Sequence, residues 1–444
     1  MKDFLKKNFS ILIRRIFLSL PLGLRDYILL FLCKKMIKLY KKASPSDSEG
    51  DKMNVLVLNG ERFPQDLDAL NETKAIRLYL LPVSLQSLIN SIFLPTTQSF
   101  TIKYYLDKSQ EVEDLVTSLN RVLESIRTNL KIDSVLTCAF YYRQDFPYQE
   151  SCKRIGLSYN VLFREYMKDE VISDKTAERY FENGFKFYGD NLFLANEKLK
   201  EIILKSQVCS EEQIKIVGSP RFDTIFKKSK ESEKPESKKN VTLFSFLHAA
   251  GGVQLSNPLF FFTSNPEEGF FHLFQDVHKS FAELAIKNPD YNFIIKTKYA
   301  AGGWFKNIIN TINSNCERNI EEIPNLKLQS KGDSQELIRK SKCVIAFNST
   351  TVLETLLEGT ALVIPLFNEA ASKYKDTNVF FQNSLSSLPV VKSEEELKSR
   401  VGDYLRDKEY AYKCPERMIN DFLYKFDGKS SDRMIKELNL IRQS

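Results

Sequence analysis

Residues 343–367 read CVIAFNSTTVLETLLEGTALVIPLF. The apolar run from Cys343 to Phe347 stops at four small polar residues, Asn348, Ser349, Thr350 and Thr351. Val352, Leu353, Leu356 and Leu357 then recur at helical spacing, and a second apolar run follows at 361–366. Runs without polar alternation are strands buried on both faces, as in parallel sheets. Strand, polar turn, helix and strand in that order form one crossover unit. Backbone N–H groups and hydroxyls at the turn make an anion site suited to the phosphates of a nucleotide. Glu354, expected with Glu358 on the helix flank, is placed to accept hydrogen bonds from ribose hydroxyls. A structural reading of the same residues exists, since Thr351-x-x-Glu354 is a capping box. It does not account for three consecutive hydroxyl residues plus Asn at the carboxyl end of a strand.

Similar runs lie on both sides. In the second half they occur at 241–247, 292–296 and 325–329, with helical patterns at 270–287, 334–341, 351–358 and 394–407. In the first half they occur at 53–58, 77–81, 134–138, 159–163, 191–195 and 214–217, with helical patterns at 111–129 and 196–205. Strand–helix alternation of this kind predicts an α/β protein of doubly wound, Rossmann-like sheets, with ligands at the carboxyl ends of the strands. KKSKESEKPESKKN (227–240) is dense in charge and divides the two series as a linker. The predicted order is a basic amphipathic helical arm at 1–50, a Rossmann-like domain at 51–226, a charged linker at 227–240 and a second Rossmann-like domain with C-terminal helices at 241–444.

The chain of 444 residues suits two domains. Its net charge of +7 is concentrated at one end. Residues 1–42 carry eleven Lys and Arg against Asp3 and Asp26, which leaves the remaining 402 residues at about −2. A body so close to neutral argues against nucleic acid as a partner. The arm is rich in Phe, Leu and Ile, but Arg14, Arg15, Arg25 and Asp26 interrupt every run. No stretch reaches the ~20 residues of a spanning helix. Apolar faces edged by Lys and Arg fit a segment lying on an anionic membrane surface, which implies a cytoplasmic protein peripheral on the inner face of the cell membrane. The other reading is a helical hairpin packed on the body. Seven dispersed cysteines and three histidines show no metal-ligand spacing, so no metal and no cofactor are expected.

Other residues are candidates by position. Lys296 and Lys298 end a strand, where ammonium groups can neutralise phosphate or sit at a solvated edge. His248 with Gly251 and Gly252 follows the first strand of the second domain, where backbone can approach a phosphate. Arg221 either faces the ligand or pairs with Asp223. His272 and His278 read as packing residues. Glu165, just beyond the strand at 159–163, is placed to act as base toward an acceptor hydroxyl or to form a salt bridge with Arg164 or Lys168. Asp145 is a second carboxylate candidate.

The unit at 343–367 resembles the donor-binding unit of GT-B glycosyltransferases, a group that includes the non-hydrolysing sugar 2-epimerases. EEQIKIVGSPRFDTIF (211–226) resembles the VxGxPRFD signature of bacterial surface-polysaccharide transferases. KIDSVLTCAFYYRQDFPYQESCKRIGLSYNVLFREYM (131–167) resembles their acceptor-side βαβ unit. The likeness spans roughly residues 53–410. It implies that the domain at 51–226 is the acceptor side, that the domain at 241–444 binds the nucleotide-sugar, and that the tail from 411 onward crosses back to the first domain. It also implies metal-independent transfer of a sugar from a nucleotide-activated donor to a glycan or lipid-linked acceptor of a surface polysaccharide. Three departures stand out. A Glu-x7-Glu pattern ending at Glu354 would begin at Ala346. Ser349-Thr350 replaces the paired glycines of the epimerases. Thr297-Lys298 stands where related capsule transferases have His-Pro. A polyol-phosphate (CDP-glycerol-like) transferase, a nucleotide-sugar 2-epimerase and a non-catalytic assembly protein are therefore rival expectations.

Overall fold

The computed structural model describes residues 16–41, 52–94, 110–165, 186–230, 238–247, 269–298, 303–373, 376, 379–406 and 413–443. The chain forms two compact units. One comprises Met1–Tyr166, Lys175–Thr224 and Phe422–Ser444; the other comprises Met167–Asp174 and Ile225–Asp421.

The first unit holds a seven-stranded sheet in the order β1-β3-β2-β4-β5-β6-β7. Its strands are β1 (Lys38–Leu39), β2 (Met53–Leu58), β3 (Ile76–Leu81), β4 (Ser134–Thr137), β5 (Ser158–Leu162), β6 (Asn191–Leu194) and β7 (Ile214–Ile216). All neighbours pair in parallel except β1, which runs antiparallel to β3. All six residues of β2 are buried, which is why its sequence MNVLVL shows no alternation. Met53, Val55 and Val57 pack with Leu67 and Leu70 of α2 (Pro64–Glu72) and with Met434, Ile435 and Leu438 of the last helix, Ser430–Gln443. The chain leaves β2 for β3 on one side and returns to β4 on the other, so the switch point lies between β2 and β4.

The second unit holds a six-stranded sheet in the order β10-β9-β8-β11-β12-β13. Its strands are β8 (Asn240–Phe244), β9 (Asn292–Lys296), β10 (Leu326–Gln329), β11 (Ser341–Ala346), β12 (Ala361–Pro365) and β13 (Val390–Val391). Every pairing is parallel, and the switch point lies between β8 and β11.

Phe422–Ser444 belongs to the first unit: the tail crosses back as expected, and the second domain does not extend to 444. The reason is the apolar face Met434, Ile435 and Leu438, which completes the first unit's core, while Asp223 accepts the N–H groups of Ser430 and Ser431 at 3.0 and 2.7 Å. The linker is shorter than 227–240, because the helix Arg221–Lys230 runs through its first residues and β8 begins at Asn240.

The arm is not separate from the body. Its helix α1 (Leu22–Met36) buries Leu29 and Cys33, packs on Val83–Phe93 and Gln110–Leu130, and joins Asp26 to Arg121 at 2.5 Å. β1 adds an edge strand to the sheet. Residues 1–15 lie outside the described residues. Among the described residues no helix is long and apolar enough to cross a membrane.

Candidate functional site

Each sheet carries a polar constellation at the carboxyl ends of its strands. In the second unit β11 ends at Ala346, and Asn348 turns the chain in the left-handed region at φ 47°. Asparagine tolerates this conformation better than most residues. Its Oδ1 accepts the N–H of Phe380 at 2.9 Å, which ties the turn to the loop before β13. Ser349 is the N-cap of the helix Thr350–Leu357; its Oγ accepts from Thr351 N at 3.3 Å and from Thr351 Oγ1 at 2.9 Å. The cap is therefore Ser349, and the box Thr351-x-x-Glu354 does not form.

Asn348, Ser349 and Thr350 are half-buried. Glu354 is not on an open flank: it is 2% exposed and accepts from Thr350 Oγ1 at 3.1 Å. Glu358 closes the helix, and burial raises its carboxyl above the ordinary range. At this turn residues 348–350 are thus partly exposed, while buried Glu354 accepts from the Thr350 hydroxyl.

The lysines divide. Lys296 is 6% exposed, and its Nζ donates to the carbonyls of Thr297 and Ser330, each at 2.8 Å. Burial lowers its pKa. Two of its three protons lock the ends of β9 and β10, contrary to a free phosphate contact. Lys298 is exposed. His248, Gly251 and Gly252 lie outside the described residues.

Ser245, at the carboxyl end of β8, bonds to His278 Nε2 at 2.9 Å and accepts from Trp304 Nε1 at 2.9 Å. His278 Nδ1 meets the carbonyl of Phe274 at 2.6 Å, and burial pushes its pKa down to about 4. This neutral histidine is a packing residue with two satisfied nitrogens. His272 instead meets Glu369, whose carboxylate also accepts the N–H groups of His272 and Leu273 at the start of the helix Phe271–Lys287. An acidic side chain of the chain itself thus occupies that helix terminus.

In the first unit the switch point is built around Asp145, 2% exposed. Asn59 follows β2 in the left-handed region at φ 56° and donates Nδ2 to both carboxylate oxygens at 2.8 and 2.7 Å. Thr137 Oγ1, at the end of β4, donates at 2.8 Å, and Gln86 Nε2 lies at 3.4 Å. Gln144 Nε2 donates to Asn59 Oδ1 at 3.1 Å. Burial raises Asp145 to about 7, opposed by hydrogen bonds from Asn59 and Thr137 and by the charge of Arg62. A carboxyl enclosed this way holds its neighbours in place rather than meeting a substrate. The pair Asn59-Gly60 carried a turn signal in the sequence. Of its partners, Asp145 stood out in the sequence as a carboxylate candidate, and Gln86 and Thr137 carried no signal.

Glu165 is exposed three residues beyond β5, and among the described residues it makes no ion pair. Arg164 turns instead to Asp66, with Nε 3.0 Å from Oδ2, and donates Nη1 to the carbonyl of Arg62. Arg221 is 5% exposed and belongs to the first unit, unlike the other nucleotide-site candidates. Its backbone N–H donates to Asp66 Oδ1 at 3.2 Å, and Asp223 is engaged by Ser430 and Ser431 rather than by Arg221. Among the described residues no cluster of His, Cys, Asp and Glu is arranged to hold a metal ion.

No family model and no curated protein matches the chain. Among solved structures it is similar to the UDP-GlcNAc 2-epimerase of Neisseria meningitidis bound to UDP-GlcNAc. The identity is 14%, the match covers 87% of this chain and 100% of that one, and the TM-score is 0.47. It is also similar to the Methanocaldococcus jannaschii UDP-GlcNAc 2-epimerase in complex with UDP-GlcNAc and UDP, at 13% identity over 88% and 99% with a TM-score of 0.47. A glycosyltransferase from Rickettsia africae gives 10% identity over 88% and 96%, with a TM-score of 0.41. These neighbours are sugar 2-epimerases and glycosyltransferases, the group the sequence resembles. The chain's own sheet orders define its fold: two doubly wound Rossmann-like units in series, each with a polar constellation at its switch point.

Proposed function

We propose that the protein is a glycosyltransferase of GT-B type that moves a sugar from a nucleotide-activated donor to a surface glycan, soluble or lipid-linked. The observation that supports this most is the turn Asn348–Thr351. It stands at the carboxyl end of β11, beside the central strand β8, where open α/β sheets bind ligands. The N–H groups of the helix's first turn and the hydroxyls of Ser349 and Thr350 receive the donor phosphates, with Lys298, exposed just after β9, as the available cation of the same sheet edge. Glu354 acts through Thr350, whose hydroxyl it orients; its burial removes it from direct ribose contact. Glu165, exposed and unpaired among the described residues, serves as the base toward the acceptor hydroxyl. No metal is needed for transfer in this reading.

The membrane partner of the reading is an anionic leaflet. Helix α1 buries one apolar face and exposes another, with Leu24 45%, Tyr27 67% and Phe31 52% exposed, bordered by exposed Lys34, Lys35, Lys38 and Lys41. This pattern supports a place for the protein on the cytoplasmic surface of the membrane. A sugar 2-epimerase acts on a soluble substrate and leaves that face without a use.

The test is a screen of CMP-, UDP-, GDP- and CDP-linked donors with and without glycan acceptors. Release of nucleotide that depends on the acceptor supports the transferase. An epimerised sugar formed without acceptor refutes it in favour of the epimerase, and polyol-phosphate transfer refutes it in favour of that rival.

A further inference from the structure

Three adjacent strands of the first unit, β2, β4 and β5, release their loops side by side at their carboxyl ends. The first loop carries Arg62, the second Tyr141 and Tyr142, the third Arg164 and Glu165. Arg62 is exposed and lies over the ring of Tyr142, with 4.6 Å from Cζ to the centroid. Among the described residues it makes no ion pair. Arg164 donates to the carbonyl of Arg62, so the two guanidinium groups share one ledge. The buried Asp66, 1% exposed, sits on Arg164 and fixes it.

The tyrosines are half-buried and held edge-on. Tyr141 makes right-angled contacts with Phe140, Tyr142 and Phe163 at centroid distances of 5.4, 5.5 and 6.0 Å. Rings fixed in this way offer apolar surface at little entropic cost, with a hydroxyl at the tip. Two other carboxylates stand at the same loops. Glu61 is engaged by the N–H of Val83, whereas Glu165 is open to solvent.

We propose that this ledge is a subsite for a carbohydrate that carries an anionic substituent, carboxylate or phosphate: the sugar lies against Tyr141 and Tyr142, and its charge meets Arg62 and Arg164. Arginine suits this task because its planar donors pair with carboxylate or phosphate oxygens in a fixed geometry. Glu165, next to Arg164 on the third loop, repels a second negative charge and leaves room for an uncharged hydroxyl. The inference rests on the glycosyltransferase reading for its biological meaning, since it assigns an acidic glycan as the acceptor. As a binding claim it stands on the first unit alone.

The experiment is calorimetric titration of the full chain with three probes: a glucuronate-containing tetrasaccharide, the same tetrasaccharide with its carboxylates reduced to alcohols, and a glycosyl phosphate. At least one acidic probe is expected to bind about tenfold more tightly than the reduced one, the scale of one charge-assisted hydrogen bond. Which of the two binds identifies the anionic group. The preference should weaken with salt, vanish in Arg62→Gln and partly return in Arg62→Lys. Lys153→Gln, which breaks a similar cation–ring pair with Tyr188 at the other end of the sheet, should leave it unchanged. Equal affinity for acidic and reduced glycans, or a preference untouched by Arg62→Gln, overturns the proposal. Nucleotide titration of the same samples separates the two claims. Donor binding without acidic preference sinks the subsite alone, and acidic preference without donor binding sinks the transferase alone.

Discussion

Replacing Asp145 with Asn should remove a pH dependence of stability that the native chain carries between about pH 4 and pH 7. Asp145 is enclosed by Asn59, Thr137 and Gln86, and burial raises its pKa from 3.8 to about 7. The folded state thus keeps a proton that the unfolded state releases. For a raised carboxyl the stabilising contribution is complete below the unfolded value and is lost as pH climbs through the folded value. The slope is roughly 1.4 kcal/mol per pH unit, so Asp145 alone weakens the fold by about 2–3 kcal/mol between pH 5 and pH 7, with little further change above. An Asn at 145 keeps an acceptor for Asn59 and turns its amide toward Thr137 Oγ1, so its effect is a constant offset. The assay is urea unfolding of both proteins at pH 5, 6, 7 and 8, followed by far-UV circular dichroism. The difference between variant and parent cancels the other titrating groups. It should shift in favour of the variant by that amount from pH 5 to pH 7. Parallel curves across the range would refute the enclosed, proton-binding carboxyl.

Glu165→Gln should cut turnover at least ~100-fold with donor affinity kept, since a positioned base supplies about 10²–10⁴-fold in rate; near-normal activity returns Glu165 to the surface. Phe31→Glu should lower recovery on anionic vesicles several-fold in cosedimentation while leaving the melting temperature in place, because Phe31 is 52% exposed. Leu29→Ala on the buried face should instead cost about 2–5 kcal/mol of stability. Asp223→Ala should destabilise the first unit by about 1–2 kcal/mol through loss of the cap on the last helix, read by denaturation.

The strands were legible because parallel strands buried on both faces are written as unbroken apolar runs. MNVLVL and NFIIK match β2 and β9 residue for residue. The two-residue strands β1 and β13 are too short to leave a pattern. The polar turn at 348–351 was visible because Asn, Ser and Thr interrupt such a run at the start of a helix. The cap, Ser349, fell two positions earlier than a box ending at Glu354 would require, and Glu354 lies inside the packing. Which core a helix completes is not a local property. Met434, Ile435 and Leu438 form an ordinary amphipathic stripe, and nothing in it names the first unit as partner. The network of Asn59, Gln86, Thr137 and Asp145 was hidden for the same reason, its members being joined by sheet order alone. In the arm Asp26 was read as an interruption of an apolar run, and its ion pair with Arg121 joins α1 to the body, in line with the packed reading.

The central claim is that a nucleotide binds at the turn Asn348–Thr351, and calorimetric titration of wild-type and Ser349→Ala proteins with the donor found in the screen tests it most directly. Ser349 caps its helix, so a purely structural role predicts a loss of about 0.5–2 kcal/mol in stability with affinity unchanged in the folded fraction. The account predicts, beyond that loss, an affinity weakened about ten- to a hundredfold, the scale of one hydrogen bond to a charged phosphate. Reduced stability with wild-type affinity would contradict it.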